Sequence, residues 1–242
     1  MEAAIQISRY RPQSTPVATA WCVFACRSSY AGEVAEIIRR TGGSVAMLVD
    51  NLAVPQPSAF GPVVTPAELS DRPYLGAVVI PLITPGHRYT VLGQARSLGL
   101  ANFPSLIDPT AIIASTAETG DGCVANVRAV VGASARIGRF VHLNRNTSVG
   151  HDVELQDFVT LGPGCVLSGH VVVERGAFVG AGAVIAPKVR IGANAVVGTG
   201  AVVTRDVAPG VVVIGNPARA VPGIMGGYGD PPGWVPEAEP LS

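Results

Sequence analysis

The sequence predicts a small α/β Rossmann-like domain, followed by an all-β parallel β-helix of hexapeptide repeats. Three observations predict this fold class. An aliphatic residue recurs every six positions from Ile107 to Val203, glycine or asparagine often follows it, and strand-like and helix-like segments alternate before the repeat begins. A period of six fits neither the 3.6-residue period of an α-helix nor the two-residue alternation of a long strand. Hexapeptide repeats are the signature of a parallel β-helix.

Composition agrees with a packed globular chain. Of its 242 residues 48% are hydrophobic and 14% charged, and 17 basic residues balance 17 acidic ones. A net charge of zero gives no electrostatic reason to expect a nucleic acid or a membrane surface as a partner. The four cysteines, Cys22, Cys26, Cys123 and Cys165, have no metal-ligand spacing and are expected to be reduced, as in a cytoplasmic protein.

Four segments follow from the pattern. Residues 1–16 are expected to be a flexible leader, 17–105 the Rossmann-like domain, 106–221 the β-helix and 222–242 a tail rich in proline and glycine. Within the first domain, the alternation predicts strands at Trp21–Ala25, Val45–Asp50 and Ala77–Ile83 and helices at Ala31–Arg40 and His87–Leu98. This βαβ order predicts a small parallel sheet.

The repeat itself has two regular positions. Fifteen of the seventeen aliphatic positions are isoleucine, leucine or valine, and the position four residues later is always small or β-branched. We expect the large residue to fill the interior and the small one to relieve crowding at a corner. Because glycine and asparagine tolerate positive φ, those that follow the aliphatic residue are expected to form the corners. Three corners close a coil of eighteen residues.

The motifs within the repeats resemble a known family. The stretch Asn144–Asp152, the pair Asp157-Phe158, the turn Gly162–Gly164 and the closing segment Gly215–Arg219 are similar to those of the hexapeptide acyltransferases, and among them to the bacterial sugar O- and N-acetyltransferases. That group includes the sialic acid O-acetyltransferases and the nucleotide-linked amino-sugar N-acetyltransferases. The resemblance implies a left-handed β-helix, acetyl-CoA as the co-substrate, a sugar acceptor, a homotrimer and no metal.

Acyl transfer from a thioester requires a base, and histidine suits that role near neutral pH. His151 matches the family's base, and Asp152 matches the acid that orients it; the alternative is that both are exposed polar corner residues. Asn144 matches a substrate-binding position close to the base, although asparagine also serves corner geometry. His170 is expected near His151 on the adjacent coil, either beside the thioester or as a plain surface residue.

The resemblance also implies how the donor is held. CoA is expected to lie along the prism between two subunits, with the Gly169 amide stabilising the oxyanion. The residues implied in CoA binding are Thr160, Gly162, Gly169, Gly180, Ala181 and Lys188. Thr160 stands where some members of the family have a second histidine.

The loop after the first predicted strand departs from the family. Its residues Cys26–Gly32 lack the glycine-rich turn, and Tyr30 replaces the histidine that ends it. Glycine lets a backbone approach a phosphate closely. Ser28, Ser29 and Tyr30 are therefore expected to contact the sugar substrate, with weaker dependence on an attached nucleotide.

Three functions remain open on the sequence alone. The first is acetyl-CoA-dependent acetylation of an amino group on a sugar that carries a nucleotide. The second is O-acetylation of a sugar hydroxyl. The third, from a different class, is a non-catalytic β-helix that acts as a binding or structural subunit.

Overall fold

A computed structural model describes residues 19–52, 58–71 and 74–225. Its first part is a parallel sheet with the strand order β3-β2-β1-β4. The elements are β1 (Ala20–Phe24), α1 (Ala31–Arg40), β2 (Ser44–Val49), β3 (Val63–Val64), α2 (Pro66–Ser70), β4 (Ala77–Val79) and α3 (Pro85–Ser97). The predicted leader and most of the predicted tail lie outside the described residues.

Two of these elements were not predicted, and one prediction was too long. The short strand β3 and helix α2 occupy residues between the second and third predicted strands. The prediction of strand to Ile83 was wrong, because β4 ends at Val79 and Pro81, two residues later, has no N–H to donate to a neighbouring strand. Helix α3 begins at Pro85 rather than His87, since proline is favoured in a first helical turn.

The second part is a triangular prism of two-residue parallel strands. Its first face contains β5 (Leu106–Ile107), β8 (Val124–Ala125), β11 (His142–Leu143), β14 (Thr160–Leu161), β17 (Phe178–Val179), β20 (Val196–Val197) and β22 (Val211–Ile214). The second face contains β6 (Ile112–Ile113), β9 (Val130–Val131), β12 (Ser148–Val149), β15 (Val166–Leu167), β18 (Val184–Ile185) and β21 (Val202–Val203). The third contains β7 (Glu118–Thr119), β10 (Arg136–Ile137), β13 (Glu154–Leu155), β16 (Val172–Val173) and β19 (Arg190–Ile191).

From β5 to β18 each strand pairs with the one eighteen residues later, as the repeat predicts, whereas β20 pairs with β22 sixteen residues later. Ser148 pairs with Val166, for example, and Val149 with Leu167. The aliphatic and small positions of the repeat together form one buried core along the prism. The prediction of a parallel β-helix is confirmed, and the arrangement is consistent with a left-handed one. A last strand, β23 (Arg219–Met225), pairs antiparallel with β22 and closes the end.

The expectation that the corner glycines adopt positive φ was wrong. Positive φ occurs not directly after the aliphatic residue but two positions further on, for instance at Ser134, Asn146 and Asp152. The glycines that follow the aliphatic residues are needed for another reason. A Cβ on Gly150 would lie 2.8 Å from the carbonyl carbon of Ser168 on the next coil. At such a glycine an added side chain would meet the backbone of the next coil.

Three columns of turns run along the edges of the prism. The first corner joins the first face to the second (residues 126–129, 144–147, 162–165 and 180–183). The second corner joins the second face to the third (132–135, 150–153, 168–171 and 186–189), and the third corner returns to the first face (138–141, 156–159 and 174–177).

The cysteines are free thiols, three of them buried. Among the described residues, no helix has the length and apolar character needed to span a bilayer.

Candidate active site

The second corner carries an imidazole paired with a carboxylate. Nδ1 of His151 lies 2.7 Å from Oδ2 of Asp152, and both side chains are exposed, at 62% and 44%. A neutral imidazole that donates from Nδ1 to a carboxylate leaves Nε2 as a free acceptor. The hydrogen bond with His151 holds the pKa of Asp152 below its usual range, and His170 contributes less. The pair can therefore present a base to solvent.

Gly169 determines how this imidazole lies. It occupies the same corner position as His151, one coil further along the prism, and a Cβ there would be 2.5 Å from Nε2 of His151 and 2.6 Å from Cε1. The ring can lie across Gly169 only because that residue has no side chain. Within the described part of the chain, no acceptor is assigned to the Gly169 amide N–H, so this donor is free for a ligand beside the imidazole.

Two further residues share this corner. His170 follows Gly169, and its ring meets that of His151 edge to face, with centroids 5.1 Å apart. Lys188 is exposed one coil beyond His170, where its backbone N–H donates to the carbonyl oxygen of Gly169. The second corner thus brings together four of the residues predicted from sequence to act in the site, namely His151, Asp152, Gly169 and Lys188.

Asn144 lies at the first corner, not beside His151. Its Oδ1 accepts from the backbone N–H of Arg145 at 2.8 Å and lies 3.5 Å from the hydroxyl of Tyr30. Nδ2 of Asn126, one coil earlier, donates to the same hydroxyl at 2.6 Å. Burial raises the pKa of Tyr30 to about 12. Tyr30 therefore joins the loop after β1 to the prism, and within one chain Asn144 does not meet the imidazole.

The first corner also holds most of the glycines implied in CoA binding. A Cβ on Gly162 would lie 2.6 Å from the amide nitrogen of Ala181, and one on Gly180 would lie 2.6 Å from that of Thr199. A side chain at either glycine would therefore strike the backbone of the next coil, although Asn126 and Asn144 occupy the same position in earlier coils. Gly169 differs from them, because a side chain there would strike an imidazole rather than the backbone.

Thr160 uses its hydroxyl inside the molecule. Its Oγ1 donates to the carbonyl oxygen of Ile83 at 2.6 Å and accepts from Arg88 at 3.1 Å. The buried guanidinium of Arg88 also donates to the carbonyl oxygens of Phe140 and Phe158 at the third corner. These contacts fasten α3 to the prism, and Arg88 belongs to no sequence motif that would have predicted this role. Thr160 is thus part of the contact between the sheet domain and the first face.

The loop after β1 lines a cavity of about 350 Å³. Ser29 is exposed there, whereas the hydroxyl of Ser28 donates to the carbonyl oxygen of Pro81 at 2.6 Å and accepts from the N–H of Tyr30. Asp50, which is buried at the end of β2, is held by Nε and Nη2 of Arg27 at 3.1 and 2.8 Å. Ser28 thus shapes the loop, while Ser29, Arg27 and Asp50 line the space beside it.

Residues 170–205 match the family model for the bacterial transferase hexapeptide, six repeats. No curated protein matches the chain in sequence. Solved structures do resemble it closely. PerB from Caulobacter crescentus, in complex with CoA and GDP-perosamine, is 30% identical with a TM-score of 0.77; the match covers 84% of this chain and 97% of PerB.

Two further structures extend the comparison. The first is a histidine-to-asparagine mutant of perosamine N-acetyltransferase from Caulobacter crescentus, in complex with CoA and GDP-perosamine. It is 29% identical with a TM-score of 0.78, over 84% of this chain and 96% of that one. The second, the acetyltransferase domain of PglB from Neisseria gonorrhoeae in complex with acetyl coenzyme A, is 28% identical with a TM-score of 0.76, over 84% of this chain and all of the other. The likeness therefore spans both the sheet domain and the prism.

Proposed function

The chain belongs to the hexapeptide-repeat sugar acetyltransferases, and we propose that it transfers the acetyl group of acetyl-CoA to the amino group of a nucleotide-linked sugar. The observation that carries this proposal is the exposed His151–Asp152 pair lying across Gly169. The similar structures support the substrate class, since they hold CoA, acetyl-CoA or GDP-perosamine. Two of them are histidine mutants that still bind both CoA and GDP-perosamine.

In the proposed reaction, acceptor and acetyl-CoA are bound together and no acyl-enzyme forms. The acceptor nitrogen attacks the thioester carbonyl carbon, the C–N bond forms, and the C–S bond then breaks to release CoA. Nε2 of His151 takes the proton from the nitrogen, while Asp152 stabilises the imidazolium through Nδ1. The free N–H of Gly169 donates to the oxyanion of the tetrahedral intermediate. The proton passes to the departing sulfur, so that CoA leaves as a thiol.

The site is proposed to be completed by a second copy of the chain. Asn144, Gly162, Gly180 and Ala181 lie at the first corner and His151 at the second, with the second face between them. That face exposes an apolar strip formed by Ile112, Val130, Val166 and Val184, with exposed fractions between 38% and 64%. An exposed apolar strip of this kind marks an interaction surface. We infer a homotrimer in which this strip is covered and CoA lies between neighbouring subunits.

The trimer leads to a prediction about two valines. Val166→Asp places a charge on the apolar strip and is expected to break the trimer into smaller species, because an unpaired charge is costly in an apolar interface. Val172→Asp, the matched control, changes the same residue type on the third face, where Arg136 pairs with Glu154 and Arg190 with Glu174, and should leave the trimer intact. Light scattering measures both. A native protein that is monomeric at micromolar concentration would refute the assembly.

The sheet domain is proposed to be Rossmann-like and to hold the acceptor. Its strand order β3-β2-β1-β4 matches the first four strands of the order found in dinucleotide-binding sheets. The cavity beside Ser29 lies at the carboxyl ends of β1 and β2, where such sheets bind ligands. Ser29 is the proposed contact on this side, whereas Tyr30 does not line the cavity and its buried hydroxyl is already bonded to Asn126. The free thiols fit a reducing compartment, so we place the enzyme in the cytoplasm.

This cavity is expected to bind a free nucleotide weakly. Serines replace the phosphate-binding glycines, and the buried carboxylate of Asp50, which a ribose hydroxyl would need, is already occupied by Arg27. Calorimetry should therefore give UDP and GDP dissociation constants on the order of 1 mM, or about −4 kcal/mol. A tight UDP complex that is lost on changing Ser28 and Ser29 would contradict this prediction.

The proposed function itself is tested by thiol release from acetyl-CoA. The acceptors are GDP-perosamine, a panel of other nucleotide-linked amino sugars, and analogues in which a hydroxyl replaces the amine. Release with an amine acceptor, together with a product whose mass shows one added acetyl group on nitrogen, supports the proposal. Release with the hydroxyl analogue alone would favour O-acetylation. A folded protein that releases no thiol with any acceptor would favour the non-catalytic alternative.

A further inference from the structure

A second imidazole lies at the second corner, one coil beyond Asp152. The backbone N–H of His170 donates to the carbonyl oxygen of His151 at 3.0 Å, so the main chain fixes where both side chains begin. The planes of the two rings are 89° apart. Nε2 of His170 lies 3.8 Å from Oδ2 of Asp152, the same oxygen that His151 approaches to 2.7 Å. Two imidazoles therefore converge on one carboxylate oxygen.

These distances suit a metal ion. One ligand atom from each of the three residues lies within 4.8 Å of the other two, so a point exists within about 2.8 Å of all three. Zn²⁺ binds histidine nitrogen and carboxylate oxygen at about 2.0 to 2.2 Å, and each atom would have to move by less than about 1 Å. The side chains are exposed by 62%, 44% and 53%, and can rotate that far without disturbing the core.

We propose that His151, Asp152 and His170 form a Zn²⁺ site that inhibits the enzyme. Two neutral imidazoles and one carboxylate are ligands that zinc prefers, and three protein ligands leave a fourth position for water. The neighbouring cation Arg136 is neutralised by Glu154 at 2.9 Å. The inhibition, unlike the binding, rests on the proposed function: an imidazole that coordinates zinc cannot accept the acceptor's proton. His151 and Asp152 need no ion to act as a base, so the ion is an inhibitor rather than a cofactor.

His170 provides the test, because it is the ligand that lies outside the proposed proton-transfer machinery. Protein freed of metal with a chelator is titrated with Zn²⁺ by calorimetry, and with Co²⁺ to record the absorption of a coordinated ion. The variants are His170→Asn and, as a matched control, His87→Asn, which removes an exposed imidazole on α3. We expect one Zn²⁺ per chain in the native protein and in His87→Asn. In His170→Asn, affinity should fall by at least the roughly 10- to 100-fold that loss of a residue hydrogen-bonded to a metal ligand costs, because His170 is itself a ligand.

The inference is overturned if the native protein binds no Zn²⁺, if His170→Asn binds it as tightly as native protein, or if His87→Asn loses it equally. Acetyl transfer is then measured across the same Zn²⁺ concentrations. Inhibition that disappears in His170→Asn supports both the site and the role of His151. If zinc binds at this site without slowing the reaction, the metal site is supported, but the inhibition and the role of His151 in proton transfer are refuted.

Discussion

Replacing His151 with alanine is expected to lower turnover by about 10² to 10⁴-fold, which is the usual contribution of a positioned general base. The imidazole is the proposed proton acceptor, and without it Asp152 no longer has the base that it is proposed to orient. Thiol release from acetyl-CoA, measured with whichever acceptor the native enzyme uses, gives the ratio. Asp152→Asn keeps the shape of the side chain and removes its charge, so it should lower turnover as well, through the orientation of the ring.

The fold should tolerate the change at His151. The side chain is 62% exposed and contributes little packing, so the free energy of unfolding should stay within about 0.5 kcal/mol of native. Affinity for acetyl-CoA should also survive, since the donor is expected to be held mainly by backbone groups. His87→Ala is the control for removal of an exposed histidine. Activity within a factor of about three of native would exclude His151 from the mechanism, and a collapse of the melting curve would identify a structural residue.

The prism could be predicted from sequence because its contacts are periodic. Val149 and Leu167 pair because they are eighteen residues apart, and a repeat of six makes that separation visible in the sequence. The role of the corner glycines was not predictable in the same way. The closeness of Gly150 to Ser168 depends on the spacing between coils, whereas residue type alone points to positive φ.

Helix α2 was missed although its signal is present. Thr65 and Glu68 form a reciprocal capping box, and Pro66 occupies the first turn. This combination is a helix start that sequence can reveal. The helix is only five residues long, however, and offers no apolar period to accompany its cap.

The sequence alone predicts which residues of the candidate site lie together when they are adjacent in the chain or one coil apart. His151 and Asp152 are adjacent, and Gly169 follows at the repeat distance of eighteen. The contacts between the sheet domain and the prism follow no fixed separation in sequence. Tyr30 meets Asn126 across 96 residues, and Arg88 meets Phe158 across 70. The assignment of Thr160 to the donor rested on resemblance, and only the packing of α3 reveals that its hydroxyl is used.

Gly169→Ala is expected to lower turnover by about 10²-fold without unfolding the protein. The new Cβ would lie 2.5 Å from Nε2 of His151, and the exposed imidazole can relieve that clash only by rotating away from its position. A misplacement of about 1 Å in a reacting group can cost about 10²-fold in rate. The backbone at this corner accepts alanine, because Ala133 occupies the position two coils before Gly169. The carbonyl oxygen of Ala133 accepts a hydrogen bond from the N–H of Asp152.

This substitution separates two roles of Gly169, since alanine keeps the amide N–H that is proposed to bind the oxyanion and changes only the space above it. Gly150→Ala is the matched comparison at the same corner. Its Cβ would meet backbone, 2.8 Å from the carbonyl carbon of Ser168, so it should lower the free energy of unfolding by about 1 to 3 kcal/mol. Turnover and melting curves on both variants decide the matter. If Gly169→Ala retains native turnover, the base does not need to lie across this glycine; if it instead melts as early as Gly150→Ala, the glycine serves coil stacking and not the imidazole.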